Sequence, residues 1–383
     1  MCKEETPLIR KTCAFTLGGF AANMEKDLII SDLIPSLKLL VGDEQDTIRM
    51  ICVGATVAIA KILPKEENKR VMLPITLQIF EDKSWKVRLA IAKNFPDLAG
   101  AFGKEIVDAN LVTKFSILLK DDEADVRTAA ITSLKFCLKT ISPEKIQSTL
   151  ISQLGDMMKD SSFNVRTGLT GSLCAICTVI KKDITLTKLA PMLVELLKDD
   201  HHEVKMGILA GIQPVATSIG PDFISSSMLM SFSNLMKDSK WRVRNSVLEL
   251  LGNLAKEFGK DFYAKSVEQI FLQCLTDTVA EVRETGIMKV EMLANAFKAD
   301  WVIKAYIPKA SDIFNKDKQG YLYRMTALKS IAVFYLCHIV DYCWSFKQRT
   351  NYHQHNADIF EGVQGPSSKC KVLCGKIDAD NVT

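Results

Sequence analysis

Asp82-Lys83-Ser84-Trp85-Lys86-Val87-Arg88 decides the fold, because its outline returns along the chain at a fixed interval. A basic residue preceded by a β-branched aliphatic one stands at Arg10, Arg49, Arg88, Arg127, Arg166, Lys205, Arg244 and Arg283. Each step is 39 residues (88−49, 127−88 and so on). Six positions before each lies an acidic residue: Glu4, Asp43, Asp82, Asp121, Asp160, Asp199, Asp238 and Asp277. A looser ninth copy follows at Asp317 and Arg324, with two residues inserted. A constant period of this length is the mark of a solenoid, whose units bury their apolar faces only against their neighbours. It overrides the two or three globular domains that 383 residues would otherwise suggest.

Downstream of the basic residue, apolar positions such as Ile91/Phe95, Leu169/Leu173 and Val247/Leu251 recur three or four residues apart. That is the stripe of a helix with one buried face. Upstream of each acidic turn lies a second apolar segment, for example Leu33-Ile34-Pro35-Ser36-Leu37. Pro35, Pro74 and Pro191 stand fourteen before their basic residues (49−35, 88−74, 205−191), where a proline should kink a helix or start it afresh. Gly103, Gly220 and Gly259 stand fifteen after theirs (103−88), where a helix should stop. The expected fold is all-α: an α-α superhelix (solenoid) of about nine helix–turn–helix units with a 39-residue period. It should occupy residues 1–333, and the aperiodic residues 334–383 read as an irregular, disordered tail. The first unit begins at its turn, so it should leave an apolar face uncapped.

Composition excludes more than it identifies. Charged residues make up 25% and apolar ones 48%, an ordinary balance for a soluble protein. A formal charge of +4, from 49 basic and 45 acidic residues, argues for no nucleic-acid partner. No apolar run is long enough for a bilayer, and the first residues lack a signal core. Eleven cysteines without a framework suit a reducing compartment, so cytoplasm and nucleus are the expected locations. Cys174-x-x-Cys177 has the spacing of a redox or zinc motif, but it lies mid-helix in an apolar run and reads as buried thiols. His353 and His355 with Cys370 and Cys374 match a zinc site in ligand count alone. No P-loop, dinucleotide fingerprint or His-Glu-x-x-His occurs, so no enzyme activity, cofactor or metal is expected.

Two sets of residues carry the functional reading. In the first, Asp43/Arg49, Asp82/Arg88, Asp121/Arg127, Asp160/Arg166, Asp199/Lys205, Asp238/Arg244 and Asp277/Arg283 should form a structural ladder. The aspartate would cap the following helix, and the basic residue would reach that carboxylate or its neighbour's. In the second, the position three before the basic residue lies about 200° round the helix from the core stripe. It should face out along the ridge of turns. Its occupants are Asp46, Trp85, Ala124, Phe163, His202, Trp241, Ala280 and Tyr321. Outward aromatics beside arginines are the material of protein-binding hot spots.

The turns Glu81-Asp82-Lys83-Ser84-Trp85-Lys86-Val87-Arg88, Lys240-Trp241-Arg242-Val243-Arg244 and Tyr321-Leu322-Tyr323-Arg324 resemble those of one family. It is the HEAT-repeat scaffold (A, constant regulatory) subunit of serine/threonine protein phosphatase 2A. The resemblance covers roughly residues 4–330 and corresponds to about the fifth through thirteenth repeats, truncated at both ends. It implies a scaffold without catalytic activity, holding a variable regulatory B-type subunit together with a phosphatase catalytic subunit. Trp241, Arg242, Tyr321 and Arg324 would face the catalytic subunit. Pro7, Arg10, Lys11, Asp46, Trp85 and Lys86 would face the regulatory one. Ala280 departs from the aromatic expected at a catalytic-subunit contact. The rival reading is a general HEAT-repeat docking protein or karyopherin-like transport adaptor. Such a protein would want acidic residues and Trp/Asn arrays on its concave helices, which the sequence does not show.

Overall fold

In the computed structural model, residues 2–298, 301–315 and 320–332 are described, and every regular element among them is helical. They fall into two compact units, Met1–Lys298 and Ala299–Thr383. The first unit opens on α1 (Pro7–Ala21) and continues as hairpins: α2 (26–41) with α3 (Asp46–Ile62), α4 (65–80) with α5 (Trp85–Phe102), and α6 (104–118) with α7 (Ala124–Cys137). Four more follow. They are α8 (143–157) with α9 (Phe163–Val179), α10 (182–196) with α11 (His202–Ile219), α12 (221–235) with α13 (Trp241–Phe258), and α14 (260–274) with α15 (Ala280–Phe297). The second unit contains α16 (302–314) and α17 (321–332). Asp317 and residues 333–383, with the candidate histidines and cysteines of the tail, lie outside the described residues.

The second helices of successive hairpins pack along one another as a continuous layer, and the first helices cover it. The second helices approach one another more extensively than the first helices do, and they form the inner layer against which the first helices pack. From α3 to α15 the β-branched residue before the basic position anchors the layer, whereas Ile9 on α1 is exposed. Ile48, Val87, Val126, Val165, Val204, Val243 and Val282 are all fully buried. Phe95 shows how neighbouring hairpins share a core. It stacks on Phe115 of the next hairpin at 4.1 Å and meets Phe80 of its own edge-on at 6.0 Å. Burying a side chain of this size stabilises by roughly 2–3 kcal/mol. On α1, Leu8, Phe15 and Phe20 are exposed.

Every first helix contains one wide turn with i→i+5 hydrogen bonding, at Ile29–Leu33, Asn68–Met72, Val107–Leu111, Ile146–Leu150, Thr185–Leu189, Ile224–Met228, Tyr263–Val267 and Val302–Tyr306. Pro35, Pro74 and Pro191 stand two residues past its end, but the turn is equally present before Thr113, Ser152, Met230 and Gln269. The proline therefore does not create the bend, as the sequence suggested. It occupies a place where the repeat already widens and a missing N–H costs little.

The glycine stops are real left-handed positions: φ is 80° at Gly103, 111° at Gly220 and 90° at Gly259. The same place in the last hairpin of the first unit holds Lys298, at φ 69° and ψ 162°. A side chain is strained there by about 1–3 kcal/mol. Cys52, Cys137, Cys174, Cys177 and Cys274 are buried free thiols. Burial pushes Cys52, Cys137 and Cys177 up to about 12 and raises Cys174 and Cys274 as well. Among the described residues no group of three His, Cys, Asp or Glu could hold a metal ion, and no helix is long and apolar enough to cross a membrane.

Lys298→Gly should relieve the strain and raise the urea unfolding midpoint by the equivalent of about 1 kcal/mol, after the greater chain entropy of glycine is subtracted. A thiol reagent at pH 8 should modify the half-buried Cys2 and Cys13 while sparing Cys52, Cys137, Cys174, Cys177 and Cys274 until urea unfolds the chain. Mass spectrometry of tryptic peptides reads both classes at once.

Candidate functional site

The ridge of turns is built from one aspartate outward. In the seven turns from Asp43 to Asp277 its Oδ1 accepts the backbone N–H two residues on, from Gln45, Ser84, Glu123, Ser162, His201, Lys240 and Val279, at 2.8 to 3.0 Å. Those donors have extended backbones and are themselves the N-cap residues. The aspartate thus stands two residues upstream of the cap and closes an Asx turn, instead of capping the helix directly.

The preceding repeat holds its other oxygen and, where the basic residue is an arginine, shares Oδ1 as well. Arg49 donates from Nε to Asp82 Oδ2 at 2.7 Å and from Nη2 to Asp82 Oδ1 at 2.9 Å. Its Nη1 donates to the carbonyl of Asp43, in its own turn, at 2.7 Å. Arg10, Arg88, Arg127, Arg166 and Arg244 repeat this fork onto Asp43, Asp121, Asp160, Asp199 and Asp277. Lys205 makes one bond, 2.8 Å to Asp238. Arg283 Nη1 donates to the carbonyl of Asp277 at 2.7 Å. Of the two partners that the spacing left open, the guanidinium takes the next repeat's carboxylate and its own repeat's backbone. Arg10, read as a partner contact, spends its donors in this way and is buried.

Burial alone would raise these carboxyls. The hydrogen bonds from the guanidinium, or from the Lys205 ammonium, together with the backbone amide outweigh it. Asp43, Asp121, Asp160, Asp199 and Asp238 are all held below the ordinary 3.8. Hydrogen bonds to the carboxylates, ahead of the cost of burial, raise Arg10, Arg49, Arg88, Arg127, Arg166 and Arg244.

Pro7, Asp46, Trp85, Ala124, Phe163, His202, Trp241 and Ala280 are the first residues of their second helices, which sets them along the ridge. Trp85 is 37% exposed. Trp241 is half-buried, with the exposed guanidinium of Arg242 4.9 Å from its ring centroid, a cation–π pair. Asp46 accepts from Ser84 Oγ at 3.0 Å and lies 3.5 Å from Lys86 Nζ. The serine bond, then the lysine, lowers its pKa. Pro7 is half-buried and Lys11 exposed. In the second unit Tyr321 is 69% exposed, and Arg324 is exposed too. Sequence reasoning missed one pairing on the ridge. Phe163 stacks face to face on His201 of the next turn at 4.5 Å, which the aromatic in that register could have suggested.

A family model described as "PIK3R4-like, middle domain" matches residues 4–257. The regulatory A-subunit of protein phosphatase PP2A from Schizosaccharomyces pombe is 30% identical over 108 residues, 28% of this chain and 18% of that protein. A probable serine/threonine-protein phosphatase PP2A regulatory subunit of Caenorhabditis elegans is 37% identical over 75 residues, 20% of this chain and 13% of that protein. The matches thus span less than a fifth of either relative. Among solved structures, importin beta superposes with a TM-score of 0.61 at 14% identity, over 91% of this chain and 47% of that one. The karyopherin Kap121p, bound to the extreme C-terminus of the protein phosphatase Cdc14p, gives 0.57 at 15%, over 87% and 37%. These two show the fold, an α-α solenoid of HEAT type.

Carboxyls held below 3.8 stabilise the fold fully above that value, and the contribution is lost as pH falls through the lower folded pKa. Circular dichroism melts should therefore be level from pH 7 to about 5 and fall steeply below about 4. Asp121→Asn with Asp160→Asn should lower the plateau and shrink the acid drop.

Proposed function

The chain belongs to the PIK3R4-like middle-domain family, and we propose from that premise that it is a non-catalytic scaffold for a protein phosphatase. It tethers a catalytic subunit through Trp241 and Arg242, with Tyr321 and Arg324, and a variable regulatory subunit through Pro7, Lys11, Asp46, Trp85 and Lys86. The observation that carries this reading is the ridge itself. A tryptophan opens α5 and another opens α13, each beside a cation and neither sealed in the core. The curated relatives, both named phosphatase regulatory subunits, support it over the stretches they share. Two partners on one support meet at a raised effective concentration, so a scaffold of this kind needs no chemistry of its own. Cytoplasm and nucleus are the compartments proposed for it.

An adaptor of the karyopherin type would place its contacts on the inner layer of second helices instead of the ridge. Capture of a phosphatase catalytic subunit by the immobilised chain should fall more than about tenfold for Trp241→Ala with Arg242→Ala, the loss expected of a hot-spot pair. Their circular dichroism should be unchanged. Undiminished capture would remove the ridge assignment, and capture lost only on substituting inner-layer residues such as Gln213 and Asn253 would favour the adaptor.

A further inference from the structure

We infer that the open face of α5 and α7, centred on Phe136, docks an acidic segment of a partner protein that seats an apolar side chain against the Phe136 ring. First helices cover one side of the layer of second helices, and the other side meets solvent. Phe136 lies on that open side and is 66% exposed, so its ring adds little to the core. A single exposed phenylalanine calls for no explanation. The charges around this one do. Lys93 on α5, Lys135 on α7 and Lys139, in the 3-10 turn that continues α7 (Leu138–Thr140), are exposed, and among the described residues none of the three has an ion-pair partner.

No carboxylate of the layer is left to answer these lysines. Asp97 on α5 is held by Lys61 of α3 at 3.1 Å. Beyond Asp125 at the ridge, α7 contains no acidic residue, and α9 contains none at all. Farther along the layer the cation is matched: Lys289 of α15 lies 2.5 Å from Glu249 of α13 and donates to Asn253 Oδ1 at 3.2 Å. Shape at Phe136 favours a docked side chain. Lys135 Nζ stands 4.9 Å from the ring centroid. On α9 the matching places hold Gly171 and Ala175 (171−132, 175−136), both small, so the ring stands above its neighbour. Gly168 draws that neighbour close, since a Cβ there would lie 2.8 Å from Thr132 Oγ1. Lys93 is level with Thr132 (132−93 is one period), a turn before the ring, and Lys139 is three residues past it. Cations thus flank an apolar platform, which calls for carboxylates on both sides of one apolar residue. A nucleic-acid strand would ask for a track of cations and successive rings, and this face offers one ring.

This face is separate from the ridge, and the inference does not rest on the tethering reading. Fluorescence anisotropy with the full chain tests it, using a short fluorescein-labelled peptide in which glutamates flank a central leucine. The peptide should bind, and more weakly as salt rises. Lys135→Glu with Lys139→Glu should weaken binding at least about tenfold, and Phe136→Ser severalfold. Circular dichroism melts of both variants should match the parent, because these side chains lie outside the core. Trp241→Ala with Arg242→Ala should leave peptide binding unaltered, so this inference and the ridge assignment fail separately. Absence of binding, equal binding of a peptide with lysines in place of the glutamates, tighter binding of a single-stranded oligouridine, or unchanged affinity in Phe136→Ser would each overturn the inference.

Discussion

An arginine that cannot be satisfied within its own repeat holds this architecture in register. Its guanidinium has a backbone carbonyl of its own turn on one edge and the carboxylate of the following turn on the other. Both partners are needed, because packing covers most of the guanidinium and these acceptors replace the water it loses. A repeat can therefore sit on the next one at only one height and one rotation. Coulomb attraction between surface charges would not achieve this; a planar fork against a fixed Asx turn does. The apolar layers supply most of the free energy of stacking, but they tolerate sliding. The ladder does not.

The two helical layers divide the remaining work. Second helices pack on second helices through fully buried β-branched residues and small gaps, and they carry the core from repeat to repeat. First helices bend at one wide turn that recurs every 39 residues (68−29, 107−68), whether or not a proline follows. The bend belongs to the repeat's geometry, and sequence has adapted to it in different ways. Pro35, Pro74 and Pro191 make use of it, and Thr113 and Ser152 merely accept it. Glycine shows the converse. Three second helices end on a left-handed glycine because no side chain fits there comfortably, and the last bears the strain of Lys298.

Much of this was legible in the sequence because a period of 39 lets each position be read eight times over. The helix–turn–helix units, the buried aliphatic residue before the basic position from Arg49 to Arg283, and the glycine stops all followed from that redundancy. The direction of the ladder did not. Asp43 and Asp82 lie at comparable reach from Arg49 in sequence pattern, and only packing shows that the carboxylate comes from the next repeat and the carbonyl from the same one. The aspartate's place upstream of the cap was likewise hidden, since an Asx turn and a capping side chain call for the same residue. The register hinted at a partner for Phe163 without naming His201, and spacing could not show that Asp46 is engaged by Ser84 and Lys86. Those contacts cross between repeats, and periodicity describes each repeat alone.

The tetrapeptide Trp241-Arg242-Val243-Arg244 shows how the ridge separates recognition from support. Its arginines are two residues apart, about 200° round one helix, so they cannot share a fate. Arg244 turns inward, is 8% exposed, and is locked to Asp277 and the carbonyl of Asp238. Arg242 turns outward and lies over the ring of Trp241, which keeps an apolar surface and a cation together in solvent. Replacing Arg244 would alter the height at which two repeats meet, and every surface beyond it would move. Replacing Arg242 would alter only what the ridge presents. Any effect of the second on a partner, with the stack unmoved, is therefore an effect on recognition itself.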